Sequence, residues 1–512
     1  MKMEYAYRLP GIGEAVLNER DKKYLDFVTE KQLLSETLWK SFTDVFRTKA
    51  DDVDLGWRGE YWGKMMRGGC LVYRCTADKR LYAVLKGAVL ALLDAAEADG
   101  RISTYSRSLE CAGWDIWCRK YVLTGMLHFC DICDDNKLVE RILDAMELLL
   151  ERIIERVGTG AGQVPITETS NFWLGVNSCS ILEPVLDLYR RRTKERFLAF
   201  ASYIIETGGC SGGDLIALAL NDDILPFQYP ENKAYETMSF FEGVLAYYEV
   251  TGEEKYLRAV QNFTERVFET DITLIGCAGC THELFDNSAD KQTEYAETIM
   301  QETCVTVTWM RLCAKLFLLT GEQKYADRIE RSALNALFGS VNLFDQKITM
   351  PKSGEVLSPL PFDSYSPLFM NSRGRGIGGL KHFSDGTFYG CCAAIGAAGL
   401  AVFPLISSLR EPGNKAWELS AYKRNGRIAF TYGPYVLARD SVKENADIRL
   451  PVFPKQKDGR LCFTLLPPEA GECLRILLET DTGKILLTDY ASCGKRWADH
   501  GGILSVWLPC ER

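Results

Sequence analysis

The chain has 512 residues, 47% of them hydrophobic and 25% charged, with a net charge of −9. That length excludes one small core and predicts two or more domains, or one large helical barrel with an addition. The acidic balance, without any long run of Lys and Arg, argues against nucleic acid or an anionic membrane as partner.

The first residues, Met1-Lys2-Met3-Glu4-Tyr5, lack the apolar stretch of a secretory leader. The 18 cysteines are therefore expected as free thiols or metal ligands in a reducing compartment, the cytoplasm. From about Asp21 to Gly339 apolar residues recur at helical spacing, with Leu138 to Ile154 and Val305 to Leu319 as clear cases. A degenerate repeat runs through this region. Leu71-Val72-Tyr73, Leu127-His128-Phe129, Leu186 to Tyr189, Val244 to Tyr248 and Leu316 to Leu319 each end a helix before a polar turn. The last two turns read Thr251-Gly252-Glu253-Glu254-Lys255-Tyr256 and Thr320-Gly321-Glu322-Gln323-Lys324-Tyr325. The copies recur roughly every 60 residues, one helical hairpin plus its connection. Five copies, with room for a sixth, predict a mainly α fold, an (α/α)6 toroid; an open solenoid is the alternative.

Val341 to Tyr389 is rich in proline and glycine and reads as a long functional loop. Gly386 to Leu409 is uncharged but carries repeated Gly, two Cys and Pro404 without a basic flank, so it reads as a core helix, not a membrane span. Beyond it the period shortens: Trp417 to Tyr422, Arg427 to Tyr432, Tyr435 to Ala438, Leu474 to Leu478 and Ile503 to Leu508 predict strands. The expected organisation is a catalytic barrel over 1–410 and a β-sandwich over 411–512.

Cys391-Cys392 is a vicinal pair, too close for an ordinary mutual disulfide. It is either two buried small side chains or two ligands for one ion. Glu302-Thr303-Cys304 adds a carboxylate and a third thiol, and Glu302, Cys304, Cys391 and Cys392 make a set suited to tetrahedral Zn2+. Residues two apart diverge on a regular helix, but Glu302 and Cys304 stand at a helix entry, where both can face one ion. Cys277-Ala278-Gly279-Cys280 is a competing ligand pair, and Cys130 to Cys133 reads as core. Glu283, in a loop near the metal set, is the general acid/base candidate. His282-Glu283 lacks the second histidine of a zinc protease helix, and no nucleophile elbow, phosphate loop or dinucleotide fingerprint is present.

The combination of Glu283-Leu284-Phe285, Gln301-Glu302-Thr303-Cys304, Cys391-Cys392 and Gly433-Pro434 before Val436 to Asp440 resembles glycoside hydrolase family 127, the β-L-arabinofuranosidases, over most of the chain. The resemblance implies an (α/α)6 barrel with a β-sandwich, a zinc held by Glu302, Cys304, Cys391 and Cys392, Cys391 as nucleophile and Glu283 as acid/base of a retaining reaction. Where that family surrounds the sugar with histidines, this chain has Thr124-Gly125, Ser178-Cys179 and Lys233-Ala234, so the resemblance implies a β-L-arabinofuranosidase-like activity and leaves the sugar and linkage open. His282, Tyr389 and Trp114 are the expected sugar contacts. Trp114, Trp117 and Trp173 either line the cleft or fill the barrel core. The function expected is a zinc-dependent retaining glycosidase on a carbohydrate substrate. A non-catalytic carbohydrate-binding toroid and a toroid lyase or epimerase are the alternatives. The sequence sets no oligomeric state, a homodimer being the one considered.

Overall fold

The computed structural model describes residues 4–279, 283–292, 300–345, 347–349, 356–362, 365–367 and 379–409, and strands between 420 and 509. The helices form two layers. The inner helices are Arg58–Thr76, Asp115–Cys130, Leu182–Arg192, Ala234–Thr251, Thr303–Thr320 and Cys391–Ser407. Each packs on the next, and Cys391–Ser407 packs back on Arg58–Thr76, so the series closes into a ring.

Five of these inner helices are followed by an outer partner: Lys79–Leu93, Asn136–Arg156, Glu195–Glu206, Glu254–Thr270 and Gln323–Arg331. The sixth inner helix takes its partner from the other end of the chain, for Glu19–Val28 packs on Cys391–Ser407. That pair is invisible as a repeat because its two members are more than 350 residues apart in sequence.

Periodicity explains the layers. Glu254–Thr270 buries Tyr256, Ala259, Val260, Phe263 and Val267, a single stripe at helical spacing. Thr303–Thr320 is buried at every position from Thr303 to Ala314, because it has neighbours on both sides and a partner behind. It is also the one described helix long and apolar enough to cross a membrane, and its burial in the ring accounts for that composition. The repeated turns work through left-handed C-caps: Gly252 at φ 73° and Gly321 at φ 72° close their helices, a conformation glycine adopts without steric cost.

The proline-rich region contributes three short ribbons, one of which pairs Ile348–Thr349 antiparallel with Val356–Leu357. Tyr365–Pro367 pairs antiparallel with Met300–Glu302, and Leu380–His382 with Phe388–Gly390. In the C-terminal region the strands form two antiparallel sheets. One runs in the order Gly483–Asp489, Arg475–Thr480, Tyr435–Asp440, Arg427–Tyr432, Ser420–Arg424; the other runs Lys455–Lys457, Arg460–Leu465, Leu504–Pro509. Five of these strands overlap the segments that the sequence pattern predicts; Lys455–Lys457, Arg460–Leu465 and Gly483–Asp489 are not among them. The packing of a sandwich falls outside the described residues.

Candidate active site

Two strand-to-helix junctions meet at one end of the ring. Met300–Glu302 runs into Thr303–Thr320, and Phe388–Gly390 runs into Cys391–Ser407. Glu302 is an N-cap, extended at φ −104° and ψ 114°, and its carboxylate accepts from the backbone N–H groups of Cys304 at 3.3 Å and Val305 at 2.5 Å. Because Glu302 is still extended while Cys304 is helical, residues two apart reach the same point.

There they meet the vicinal pair. The ligand atoms of Glu302, Cys304, Cys391 and Cys392 all lie within 4.8 Å of one another, and all four residues are buried. Cys392 Sγ is 3.0 Å from Glu302 Oε1, and the Cys391 and Cys392 sulfurs are 4.0 Å apart. Three thiols and a carboxyl at this separation, out of water, are a donor set for one soft cation. The N-terminal ends of two helices also point their positive dipole ends at the cluster.

Lys64, from the Arg58–Thr76 helix, places its ammonium 3.2 Å from Cys304 Sγ and 2.5 Å from Glu60 Oε1. Burial opposes its charge, but Cys304 and Glu60 hold its pKa well above the ordinary lysine value. Hydrogen bonding from Cys304 and then Cys392, aided by Lys64 and Lys233, holds the Cys391 thiol well below its usual range. Burial pushes the Cys304 and Cys392 thiols well up, and Glu302 up to about 7. Gly379 is part of the same construction: at φ 62°, its Cβ, if present, would stand 2.4 Å from Cys391 Sγ.

The cluster lies at one side of a cavity of about 460 Å³, lined also by Glu60, Trp114, Trp117, Trp173, Lys233 and Glu236, among others. Trp114 stacks on Phe172 at 5.0 Å and meets Trp57 edge-on at 5.9 Å. Trp117 donates its Nε1–H to Glu60 Oε2 at 2.6 Å. All three tryptophans singled out in the sequence thus line the cavity.

Glu283 lines it too. Its backbone is left-handed at φ 65°, a strained conformation for glutamate. The loop is pinned by Ala234 N–H donating to Glu283 O at 2.9 Å and Phe285 N–H donating to Asn232 O at 2.8 Å. Its carboxyl touches the Lys233 ammonium, which in turn stands 4.9 Å from the Trp173 ring centre. Burial, then the charges of Glu302 and Cys391, pushes the Glu283 carboxyl well above the usual carboxylate range.

Other expected residues fall elsewhere. Tyr389 does not line the cavity; it is buried, its hydroxyl accepts from Gln32 Nε2, and its ring centre stands 5.3 Å from that of Phe42. Its place in a strand explains this, since Gly390 and Cys391 turn the chain inward after it. Thr124 and Ser178 are buried in hydrogen bonds to Lys120 O and Thr169, and of the three positions compared with sugar-facing histidines only Lys233 reaches the cavity. Cys277 is held 2.9 Å from Thr273 Oγ1, and Cys280 and His282 lie outside the described residues. Between Cys70 and Cys392 every described cysteine is free of disulfide bonds.

Sequence reading missed Glu60, Lys64, Gly379 and Glu236. Glu236 lines the cavity with one buried carboxylate oxygen, Oε2, without a hydrogen-bond partner, and burial pushes its pKa up to about 7. The available signal was charge on an otherwise apolar inner helix, as in Gly59-Glu60-Tyr61-Trp62-Gly63-Lys64.

A family profile described as "Beta-L-arabinofuranosidase, GH127 catalytic domain" matches residues 17–353. A solved structure of a GH127 β-arabinofuranosidase is similar at 15% identity and a TM-score of 0.57, covering 99% of this chain and 98% of that one. A GH127 β-L-arabinofuranosidase from Geobacillus stearothermophilus T6 is similar at 16% identity and a TM-score of 0.56, covering 98% of this chain and 80% of that one. At such identities the likeness is one of fold. No curated protein sequence matches the chain.

Proposed function

Because the chain belongs to the GH127 β-L-arabinofuranosidase family, we propose that it is a retaining glycoside hydrolase with Cys391 as nucleophile and Glu283 as acid/base, acting on small β-L-arabinofuranoside-like substrates. The observation that carries this reading is the placement of Cys391 and Glu283 on one cavity, with Glu302, Cys304 and Cys392 gathered around Cys391.

Zinc is the ion proposed for the cluster, with Glu302, Cys304, Cys391 and Cys392 as its holders. Zn–S bonds of ~2.3 Å at a tetrahedral centre separate two sulfurs by about 3.8 Å, and Cys391 and Cys392 stand 4.0 Å apart. Three thiolates and one carboxylate exceed the charge of a dication by two, and the Lys64 ammonium, 3.2 Å from Cys304 Sγ, offsets part of that excess. Bound there, the ion supplies the positive charge that keeps the thiols ionised near neutral pH.

The residues then divide the work. The aromatic wall of Trp114, Trp117 and Trp173 takes the apolar faces of the sugar. Cys391 Sγ forms a bond to the anomeric carbon as the bond from that carbon to the leaving oxygen breaks, and protonated Glu283 delivers its proton to that oxygen. Glu283, now ionised, takes a proton from water as the water oxygen displaces Cys391 Sγ, which restores both groups. The raised pKa of Glu283 suits the first role, and the adjacent Lys233 offsets its charge in the second. The need for reduced thiols suits a reducing compartment such as the cytoplasm.

A panel of aryl furanosides and pyranosides, followed by NMR of the first-formed product, tests this reading. Release of a hemiacetal with the substrate's anomeric configuration is expected, on the β-L-arabinofuranoside above the rest. An unsaturated product would indicate a lyase, an isomerised sugar without hydrolysis an epimerase, and binding without turnover a lectin-like toroid.

A further inference from the structure

The inner ring buries charge well below the cavity. Arg67 stands one turn beyond Lys64 on the Arg58–Thr76 helix and is 2% exposed. Its Nε and Nη2 groups are buried without a hydrogen-bond partner. Lys120, on the neighbouring Asp115–Cys130 helix, is 1% exposed and donates only to two neutral hydroxyls, Ser180 Oγ at 2.9 Å and Ser239 Oγ at 2.6 Å.

These two are exceptions. Every other buried lysine or arginine among the described residues pairs with a carboxylate, as Lys64 does with Glu60 and Arg311 with Glu242. The nearby carboxylate Glu183 is likewise claimed, by Arg311 at 3.2 Å and by Lys315. Burial lowers Lys120 to about 7; the carboxylates Glu183 and Glu242 oppose that shift, and the charges of Arg67 and Arg311 add to it. A buried charge without a hydrogen-bonded counter-charge is destabilising, and Arg67 and Lys120 are two of like sign on neighbouring helices.

We propose that this layer of the toroid axis binds one small monovalent inorganic anion, of the chloride class, between Arg67 and Lys120. The anion accepts from the free guanidinium N–H groups and from the ammonium hydrogen that the two serines leave unused. It turns a repulsive pair into a bridged one. The site would brace the cavity from below, for Lys120 stands 4.4 Å from the Trp117 ring centre, and Tyr121 beside it bonds to Tyr235; Trp117 and Tyr235 both line the cavity.

Crystals of the whole protein grown in sodium bromide test this by anomalous scattering. A bromide peak in contact with the Arg67 guanidinium is expected; waters alone there, or Arg67 turned onto Glu242, would overturn the proposal. Thermal melting gives a second reading. At matched ionic strength, wild type should melt about 2–4 °C higher in saturating chloride or bromide than in gluconate, whose anion is too large to enter. Arg67→Met and Lys120→Met should lose that difference while keeping their far-UV spectra. An equal shift in gluconate, or a halide shift that survives in both variants, would contradict it. If neither variant folds, the bromide map of the wild type still decides.

Discussion

The floor and the wall of the cavity are built in different ways. The floor presents Glu302, Cys304 and Cys391, with Cys392 buried beside them, from two short segments, each at the start of an inner helix. The wall draws Trp57, Trp114, Trp173, Lys233 and Glu236 from segments spread over nearly 180 residues. Dense chemistry needs donors a few ångströms apart, and consecutive residues at a helix entry deliver them. A sugar-binding wall needs breadth, which only several segments can provide. Chemistry should therefore fail sharply on changes in the floor and its acid, and specificity should drift on changes in the wall.

The largest separation between the two is expected for Glu283. Glu283→Gln should lower kcat/KM by about 10²–10⁴-fold on alkyl glycosides, with much less loss on an aryl glycoside whose phenol leaves unaided. The sign of the pH effect follows from the raised pKa. The acid works protonated, so wild-type activity should fall as pH rises through a value above the ordinary carboxylate range. Glu283→Gln should lack that alkaline limb. Equal losses on both leaving groups would remove the acid role.

Lys64 tests whether the floor needs its charge partner. Lys64→Met should weaken metal retention by about 10–100-fold, as loss of an outer-shell partner does, measured by competition with a chelator. Unchanged retention would mean that the contact with Cys304 is incidental. The wall should respond least. Trp114→Ala should raise KM by about 10-fold through lost stacking of about 1–1.5 kcal/mol and leave kcat and metal content near wild type. A collapse of kcat would place Trp114 with the chemistry.

The same contrast explains what was legible in the sequence. Glu302, Cys304, Cys391 and Cys392 stand out because unusual residue types sit adjacent, and the structure gathers them. The helical hairpins were legible in the repeat, with Gly252 and Gly321 marking the turns. The closure of the ring was not, because Glu19–Val28 and Cys391–Ser407 pair across the length of the chain. Lys64 and Glu236 were missed because a lone charge on an apolar helix gives no sign of the partner it will face. Tyr389 was expected in the cavity for its closeness to Cys391. A continuous strand would put residues two apart on one face, but Tyr389 belongs to the Phe388–Gly390 strand and Cys391 opens a helix, so the change of backbone between them separates the two side chains.

Covalent capture tests the central claim most directly. The protein, reduced and loaded with zinc, is treated with an activated cyclic electrophile shaped as the preferred sugar, and the adduct is mapped by peptide mass spectrometry. One label per chain on Cys391, prevented by excess substrate and accompanied by loss of activity, is the expected result. A label on Cys392 or Glu302 with Cys391 unmodified and activity lost would contradict the assignment of the nucleophile.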